Sequence, residues 1–323
     1  MNQSHTSDPF SMDRGAQANQ QLVAAPADRT TLRQEIESLS CDALASQGRF
    51  DVFLATADAI PTVLHEIGRL REIAFRSVGE GSGKALDLDA YDRVYLHLFL
   101  WDREAQAIAG GYRLGRTDTL LGEFGPDGLY TSTLFKLSEP FLDHLTPGLE
   151  LGRSFVATDY QKSIHPLSLL WRGIGRFVAR YPRYARLFGP VSISDNYSPV
   201  SQELIVRYLR RNRRGHGLEG WVEPLHPYGG MDLESDEISY RLNSIEDVSA
   251  AIARTEPDGK GVPVLLRQYL KLNATLLEFN VDPDFSNVLD ALVLVDLGRA
   301  PDEVLVRYMG VDGLASFRQA TSV

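Results

Sequence analysis

Two apolar runs, residues 91–101 and 107–114, are separated only by Asp102-Arg103-Glu104-Ala105-Gln106. Runs this rich in aromatic and branched side chains, joined by so short a polar turn, read as an antiparallel hairpin. The hairpin sets a sheet at the centre of the chain. Further strand patterns lie at 50–55, 149–157, within 184–194, at 275–281 and at 291–297. Helical periodicity runs through 59–77, with Val63, Ile67, Leu70, Ile73 and Ala74 on one face, and through 168–181, with Leu169, Leu170, Ile174, Phe177 and Val178. Helices are also expected at 199–211 and 264–272, and a short one after Pro301. This order predicts an α+β fold, a three-layer α/β/α arrangement with a mixed, mostly antiparallel sheet flanked by helices.

Residues 1–48 read as a mobile extension carrying one short helix at 31–45, and the folded body as 49–323 with a polar, weakly structured insertion at 215–262. No stretch reaches the length of apolar residues a membrane span needs, and the first residues lack the basic and apolar regions of a secretory signal. Cys41 is the one cysteine, which excludes an internal disulfide and a cysteine-based metal cluster. A cytoplasmic location and no bound metal are expected. The formal net charge of −10 argues against bulk nucleic-acid binding.

Charged residues then stand out against this background. Asp87, Asp89 and Asp92 crowd the turn into the long strand, where clustered acids bind a cation, anchor arginines, accept a proton, or simply cap a solvated turn. Arg113 lies in an apolar strand and needs a carboxylate or an anionic ligand. Glu150 and Arg153 are three apart in a strand, so they face opposite sides unless Gly152 marks a bulge. Arg207, Arg210, Arg211, Arg213 and Arg214 fall within eight residues of an acidic chain. Arg207, Arg210, Arg211 and Arg214 would share much of one helical face, suited to phosphate or an acidic partner, or to complementing the helix dipole. His97 and Asp102 match the H-x4-D spacing of glycerolipid acyltransferases, yet an odd spacing sets them on opposite faces of a strand. The run Gly79-Glu-Gly-Ser-Gly-Lys84 reads as a flexible loop and not as a phosphate cradle, because Ala85 stands where a Ser or Thr is needed.

Arg71 with Phe75, Asp87-x-Asp89-x-x-Asp92, Gly111-Tyr112-Arg113-Leu114 and Glu150-x-x-Arg153 resemble, in order and spacing, the acyl-homoserine-lactone synthases. The fuller stretch resembles the haemolysin-like N-acyltransferases that begin ornithine-lipid and glycine-lipid synthesis. Its matching phrases are Tyr130-Thr-Ser-Thr-Leu-Phe-Lys-Leu-Ser138, Leu149-Glu-Leu-Gly-Arg-Ser-Phe-Val156, Leu170-Trp171, Pro263-Val-Leu-Leu-Arg-Gln-Tyr-Leu270 and Phe279-Asn-Val-Asp-Pro-Asp-Phe-Ser286. The resemblance covers residues 60–300. It implies the GNAT acyltransferase fold and transfer of a fatty acyl group, 3-hydroxylated in some cases, from acyl carrier protein to the amine of an amino acid such as ornithine or glycine. It also implies an active-site network of Arg71, Asp87, Asp89, Asp92, Arg113, Glu150 and Arg153. Two departures are visible. Val78 and Gly79 stand where the synthases carry a tryptophan, and Gln161-Lys-Ser-Ile-His-Pro166 lacks the glycines of the coenzyme A pyrophosphate loop. The second departure favours the acyl-phosphopantetheine of a carrier protein as donor, with no tightly bound cofactor.

Acyl transfer from a thioester to an amine requires proton removal from the ammonium, proximity, and oxyanion stabilisation. Glu150 is the expected base, with Asp92, Arg113 and Arg153 completing the catalytic set. Arg113 or Arg153 would hold the acceptor's carboxylate. Arg71, Phe75, Asp87 and Asp89 would contact substrate, and Phe99, Trp101, Phe155 and Trp171 would line an acyl slot or else form ordinary core. Arg207, Arg210, Arg211 and Arg214 would dock the acidic carrier protein or anionic headgroups. The expected partners are acyl carrier protein, the amino acid, the cytoplasmic face of the inner membrane and a downstream O-acyltransferase. The alternatives are a lactone synthase using S-adenosylmethionine and a non-catalytic acyl-carrier or membrane-binding module.

Overall fold

The computed structural model describes residues 20–39, 42–215, 217–218, 220–231, 242–283 and 285–321. Its strands are β1 (Ala45–Gln47), β2 (Phe50–Thr56), β3 (Leu96–Asp102), β4 (Ala107–Arg116), β5 (Phe135–Leu137), β6 (Gly148–Val156), β7 (Arg186–Ile193), β8 (Val222–Pro224), β9 (Thr275–Asp282) and β10 (Val288–Asp296). The helices are α1 (Arg29–Glu37), α2 (Pro61–Arg76), α3 (Thr117–Phe124), α4 (Glu139–Leu145), α5 (His165–Arg180), α6 (Pro199–Asn212), α7 (Ile245–Thr255), α8 (Val264–Lys271), α9 (Asp302–Met309) and α10 (Val311–Thr321).

Eight strands form one sheet in the order β1-β2-β3-β4-β6-β7-β10-β9, and β5 pairs with β8 apart from it. Every neighbouring pair in the large sheet is antiparallel except β6–β7. Period-two alternation splits the strands' side chains between two layers. Leu98 and Leu100 of β3 join the main core under α5, whereas Phe99 and Trp101 pack beneath α1 and α2 with Val63 and Ile67. β10 does the same: Leu289, Ala291, Val293 and Val295 face the main core, and Leu292 and Leu294 face a second cluster with Tyr95, Tyr130 and Phe188. The result is the expected three-layer fold.

Several boundaries differ from the sequence expectation. The first helix ends at Glu37, and Ala45 belongs to β1, which pairs with β2. The folded body therefore begins before residue 49. The segment ahead of α1 is also fastened: Gln21 and Ala24 N–H donate to the carbonyls of Gly83 and Ala85, and Ala27 N–H to Glu66. Residues 1–19 and Cys41 lie outside the described residues. The long strand starts only at Leu96, because Asp89 and Asp92 form a reciprocal capping box that winds Ala90–Arg93 into a short 3-10 turn. The stretch 215–262, expected to be weakly structured, contains β8 and α7; positions 216, 219 and 232–241 within it lie outside the described residues. The final helix is two helices, broken at Gly310 with φ +77°. Among the described residues, no helix is long and apolar enough to cross a membrane.

Candidate active site

β6 and β7 run parallel and pair over only three positions, Gly148 with Arg186 through Glu150 with Phe188. Gly189 marks where they part: a Cβ there would lie 2.1 Å from the Leu151 carbonyl oxygen, so only glycine permits the approach. On its other edge β6 carries a bulge. Gly111 opposes Phe155 and Arg113 opposes Gly152, so Arg153 and Ser154 of β6 together oppose Tyr112 of β4, with Arg153 at φ +49°. The bulge predicted near Gly152 is thus present, one residue on. Between the diverging strands opens a cleft of about 160 Å³, continuous with solvent. Tyr112, Leu134, Leu151, Leu265, Tyr269 and Val288 give it apolar walls; Arg153, Glu80, Asp282, Asp290 and Ser192 are its charged and polar lining.

Beside the cleft lies a buried ionic network. Arg71 Nε donates to Asp87 (2.8 Å) and its Nη1 to Asp92 (2.7 Å). Arg113 Nη1 reaches Asp89 (2.5 Å) and Asp92 (3.3 Å). Arg153 approaches Asp89 (3.3 Å) and Asp87 (3.7 Å). Three guanidiniums face three carboxylates, so each buried charge is compensated. Burial alone would raise the Asp89 and Asp92 carboxyls. The guanidiniums of Arg113 and Arg153 around Asp89, and of Arg71 and Arg113 around Asp92, reverse this and hold both below the ordinary range. The rings of Tyr91, Tyr95 and Tyr130 surround Arg113 at 5.1–5.6 Å, and Arg153 lies between Tyr130 and Phe285. Arg153 is the one member of the network that also lines the cleft.

Glu150 is 1% exposed and does not line the cleft. Its carboxylate accepts hydrogen bonds from Thr131 N–H (2.6 Å), Thr131 Oγ1 (2.5 Å), Tyr130 N–H (3.2 Å) and the Tyr95 hydroxyl. Burial pushes its carboxyl up, and the bonds from Thr131 and Tyr95 oppose that rise. Asp290 has a different setting. It sits on β10 opposite Ser192 of β7, 2% exposed, and its Oδ1 accepts from the Ser192 hydroxyl (2.8 Å). Burial chiefly, with the charges of Asp282 and Glu80, pushes Asp290 up to about 7 against the pull of Ser192 and Arg153. Burial and Asp195 likewise push Glu80 up to about 7.

The structure thus brings Arg71, Asp87, Asp89, Asp92, Arg113 and Arg153 together, with Glu150 behind them and Phe75 on the cleft wall. Phe99, Trp101 and Phe155 are not at the cleft: strand alternation turns them under α1 and α2. Trp171 is core as well, edge-on to Tyr112 and Tyr269, which do line it. The basic segment is not one helical face, since α6 ends at Asn212 and Arg214 instead bridges to Leu276. Arg207 bonds Glu203 (2.8 Å), and Arg210 pairs with Glu278 (3.5 Å). His97 bonds the Asp92 carbonyl, while Asp102 takes the Tyr160 hydroxyl and Arg49, so those two are not a catalytic pair. Sequence reasoning missed Glu80, Asp282, Asp290 and Ser192. A carboxylate inside the apolar run Val288-Leu289-Asp290-Ala291-Leu292 was the available signal.

Residues 70–172 match the model of the acetyltransferase (GNAT) domain. Over 301 residues the chain is 31% identical to a glycine N(alpha)-acyltransferase of Bacteroides thetaiotaomicron, covering 88% of this chain and 87% of that protein. Over 305 residues it is 30% identical to a glycine N(alpha)-acyltransferase of Phocaeicola vulgatus, covering 89% and 92%. Among solved structures it is similar to the CoA-dependent acyl-homoserine lactone synthase MesI, with TM-score 0.36, 13% identity and coverage of 84% of this chain and 95% of that one. It is also similar to the CoA-dependent synthase BjaI with SAM and isopentyl-CoA, with TM-score 0.37, 14% identity and coverage of 83% and 98%. With identity of that order running through nearly nine-tenths of the chain and of both curated relatives, the chain belongs to the family of GNAT-fold N-acyltransferases that includes those two glycine N(alpha)-acyltransferases.

Proposed function

We propose that this N-acyltransferase moves a fatty acyl group from the phosphopantetheine thioester of acyl carrier protein to the α-amine of a free amino acid, releasing an N-acyl amino acid. The observation that carries this reading is the composition of the cleft: one guanidinium, Arg153, facing three carboxylates, with an apolar continuation along Leu151, Tyr112, Tyr269 and Leu265. Arg153 is the partner for the acceptor's carboxylate, the acidic wall for its ammonium, and the apolar walls for the acyl chain. Glycine is the acceptor named for the relatives. Three carboxylates exceed what one ammonium needs, which also accommodates the second ammonium of ornithine. Backbone N–H groups at the Arg153 bulge, and the Tyr112 hydroxyl on the cleft wall, are the candidate oxyanion donors.

A carrier-protein donor is supported by two features. The turn before α5, residues 161–164, has no glycine to admit a pyrophosphate closely against the backbone. Arg210, Arg211 and Arg214 are exposed at one end of α6 on an otherwise acidic chain, a surface complementary to an acidic carrier.

The test is mass spectrometry of reactions containing purified protein, acyl or 3-hydroxyacyl carrier protein or acyl-CoA, and glycine, ornithine or S-adenosylmethionine. An N-acyl amino acid made faster from the carrier protein is expected. A homoserine lactone would favour the synthase reading, and equal rates from both donors would remove the carrier preference. No product from any pair would leave the non-catalytic binding module.

A further inference from the structure

The geometry points to Asp290 as the group that takes the proton from the acceptor ammonium, with Ser192 as its positioning residue. The inference rests on the acyl-transfer reading above and adds a residue outside the arginine–aspartate motifs. Val288, Asp290, Leu292, Leu294 and Asp296 alternate onto one face of β10, and Asp290 is the polar member inside that row, Asp296 being the strand's partly exposed last residue. An unsatisfied carboxylate on such a face costs several kcal/mol, on the order of the penalty for any buried polar group without partners. The Asp290 side chain has one hydrogen bond among the described residues, to Oδ1 from Ser192, and Oδ2 accepts none. The residue lines the cleft, so that oxygen is available to an incoming donor.

The alternative base is Glu150. Its four hydrogen bonds occupy both oxygens, and it stands outside the cleft lining. Its geometry suits holding the Tyr130–Thr131 turn. Asp290 shares the cleft lining with Arg153 and stands on β10, which pairs with β7 over eight positions.

The proton inventory closes. The ammonium gives one proton to the Asp290 carboxylate, and its freed lone pair attacks the thioester carbonyl to form the C–N bond and an oxyanion. Collapse of the oxyanion breaks the C–S bond. The nitrogen gives up a second proton, which ends on the departing thiolate, and the third stays on the amide. Asp290 returns its proton to solvent. One acyl thioester and one ammonium yield one amide, one thiol and one proton.

The charges facing Asp290 are Asp282 from β9, Glu80 from the loop after α2 and Arg153 from β6, with the Tyr130 hydroxyl nearby. The base is active when ionised. As pH rises through about 7, the ionised fraction of Asp290 rises, and kcat/KM for the acceptor should rise with it and level off.

The experiment compares wild type, Asp290→Asn and Ser192→Ala with two acceptors: the amino acid, and an oxyamine acid whose nitrogen is already neutral at pH 7. Failure of wild type to acylate the amino acid would sink the acyl-transfer reading itself, before any variant is compared. Given that activity, Asp290→Asn should lose about 100-fold or more in kcat/KM with the amino acid and abolish the rise near pH 7, yet change about threefold or less with the oxyamine. Equal losses with both acceptors, or a retained pH rise, would overturn the assignment. Ser192→Ala removes a bond that favours the ionised form, so its pH limb should move to higher pH. An unmoved limb would remove the positioning role. Circular dichroism and thermal melts of each variant separate misfolding from lost chemistry.

Discussion

Glu150 and Asp290 are both nearly inaccessible carboxylates beside one cleft, and burial raises both. They differ in what surrounds the oxygens. Glu150 is saturated by donors from the Tyr130–Thr131 turn and by the Tyr95 hydroxyl, whereas the Asp290 side chain has one hydroxyl and the cleft. The same contrast holds between the two sides of the site. On the β3–β4 side, three arginines and three aspartates compensate one another and set the shape. On the β7–β10 side, acids outnumber the facing cation. Paired buried charge specifies geometry, and incompletely partnered buried charge is left to act on a ligand.

The contrast breaks most readily at Asp92. Its carboxylate serves Arg71, Arg113 and the Asp89 N–H together. Asp92→Asn leaves the guanidiniums in excess, and an unfolding loss of about 3–5 kcal/mol is expected from chemical denaturation. A variant as stable as wild type would show that the network contributes nothing to the fold. Glu150→Gln tests the other structural acid. An amide NH2 cannot accept from the Tyr130 N–H, so about 1–3 kcal/mol should be lost. Its kcat/KM profile should nonetheless keep the rise near pH 7 that Asp290→Asn abolishes; loss of that rise would transfer the base role to Glu150.

How much of this was legible follows from the range of each signal. The β3–β4 hairpin, α2 and α5 were readable because apolar periodicity is local. The aspartates and arginines were readable because their order and spacing survive as motifs. Phe99, Trp101 and Phe155 stay open between an acyl slot and ordinary core in the sequence because alternation reveals that residues share a face, not what covers that face; here α1 and α2 cover it. The strand at 291–297 was begun one residue after Asp290 because an acid looks like a strand boundary. In the fold it lies within β10, where Ser192, nearly a hundred residues earlier, supplies its partner. No periodicity encodes a contact between strands so distant in sequence. The helical face through Arg214 failed for a nearer reason: Arg213 leaves helical geometry at φ −133°, and the chain turns toward β9.

Arg153 joins the two halves, since it touches Asp87 and Asp89 on one side and the cleft on the other. Arg153→Lys keeps the charge but loses the planar fork that can grip a carboxylate with two bonds. KM for the amino acid should rise about tenfold while KM for the acyl donor changes little, a split worth about 1.4 kcal/mol. A parallel rise in both would place Arg153 in the structural half alone.

The smallest effect belongs to the surface. Arg210, Arg211 and Arg214 are exposed, and Arg210 already pairs weakly with Glu278. Exposed pairs contribute about 0–1 kcal/mol to stability, so reversing all three to glutamate should leave the melting temperature nearly unchanged. Their long-range field is a different matter, because an acidic carrier is drawn by the summed charge and not by any one contact. The triple variant should therefore raise KM for acyl carrier protein several-fold at low salt, with the difference shrinking as salt shortens the Debye length to about 8 Å at physiological strength. A small acyl-pantetheine, which carries no acidic protein, should show no such change. Equal effects on both donors would move these arginines from docking to the cleft, and no effect on either would leave them as a solvated face with no part in the reaction.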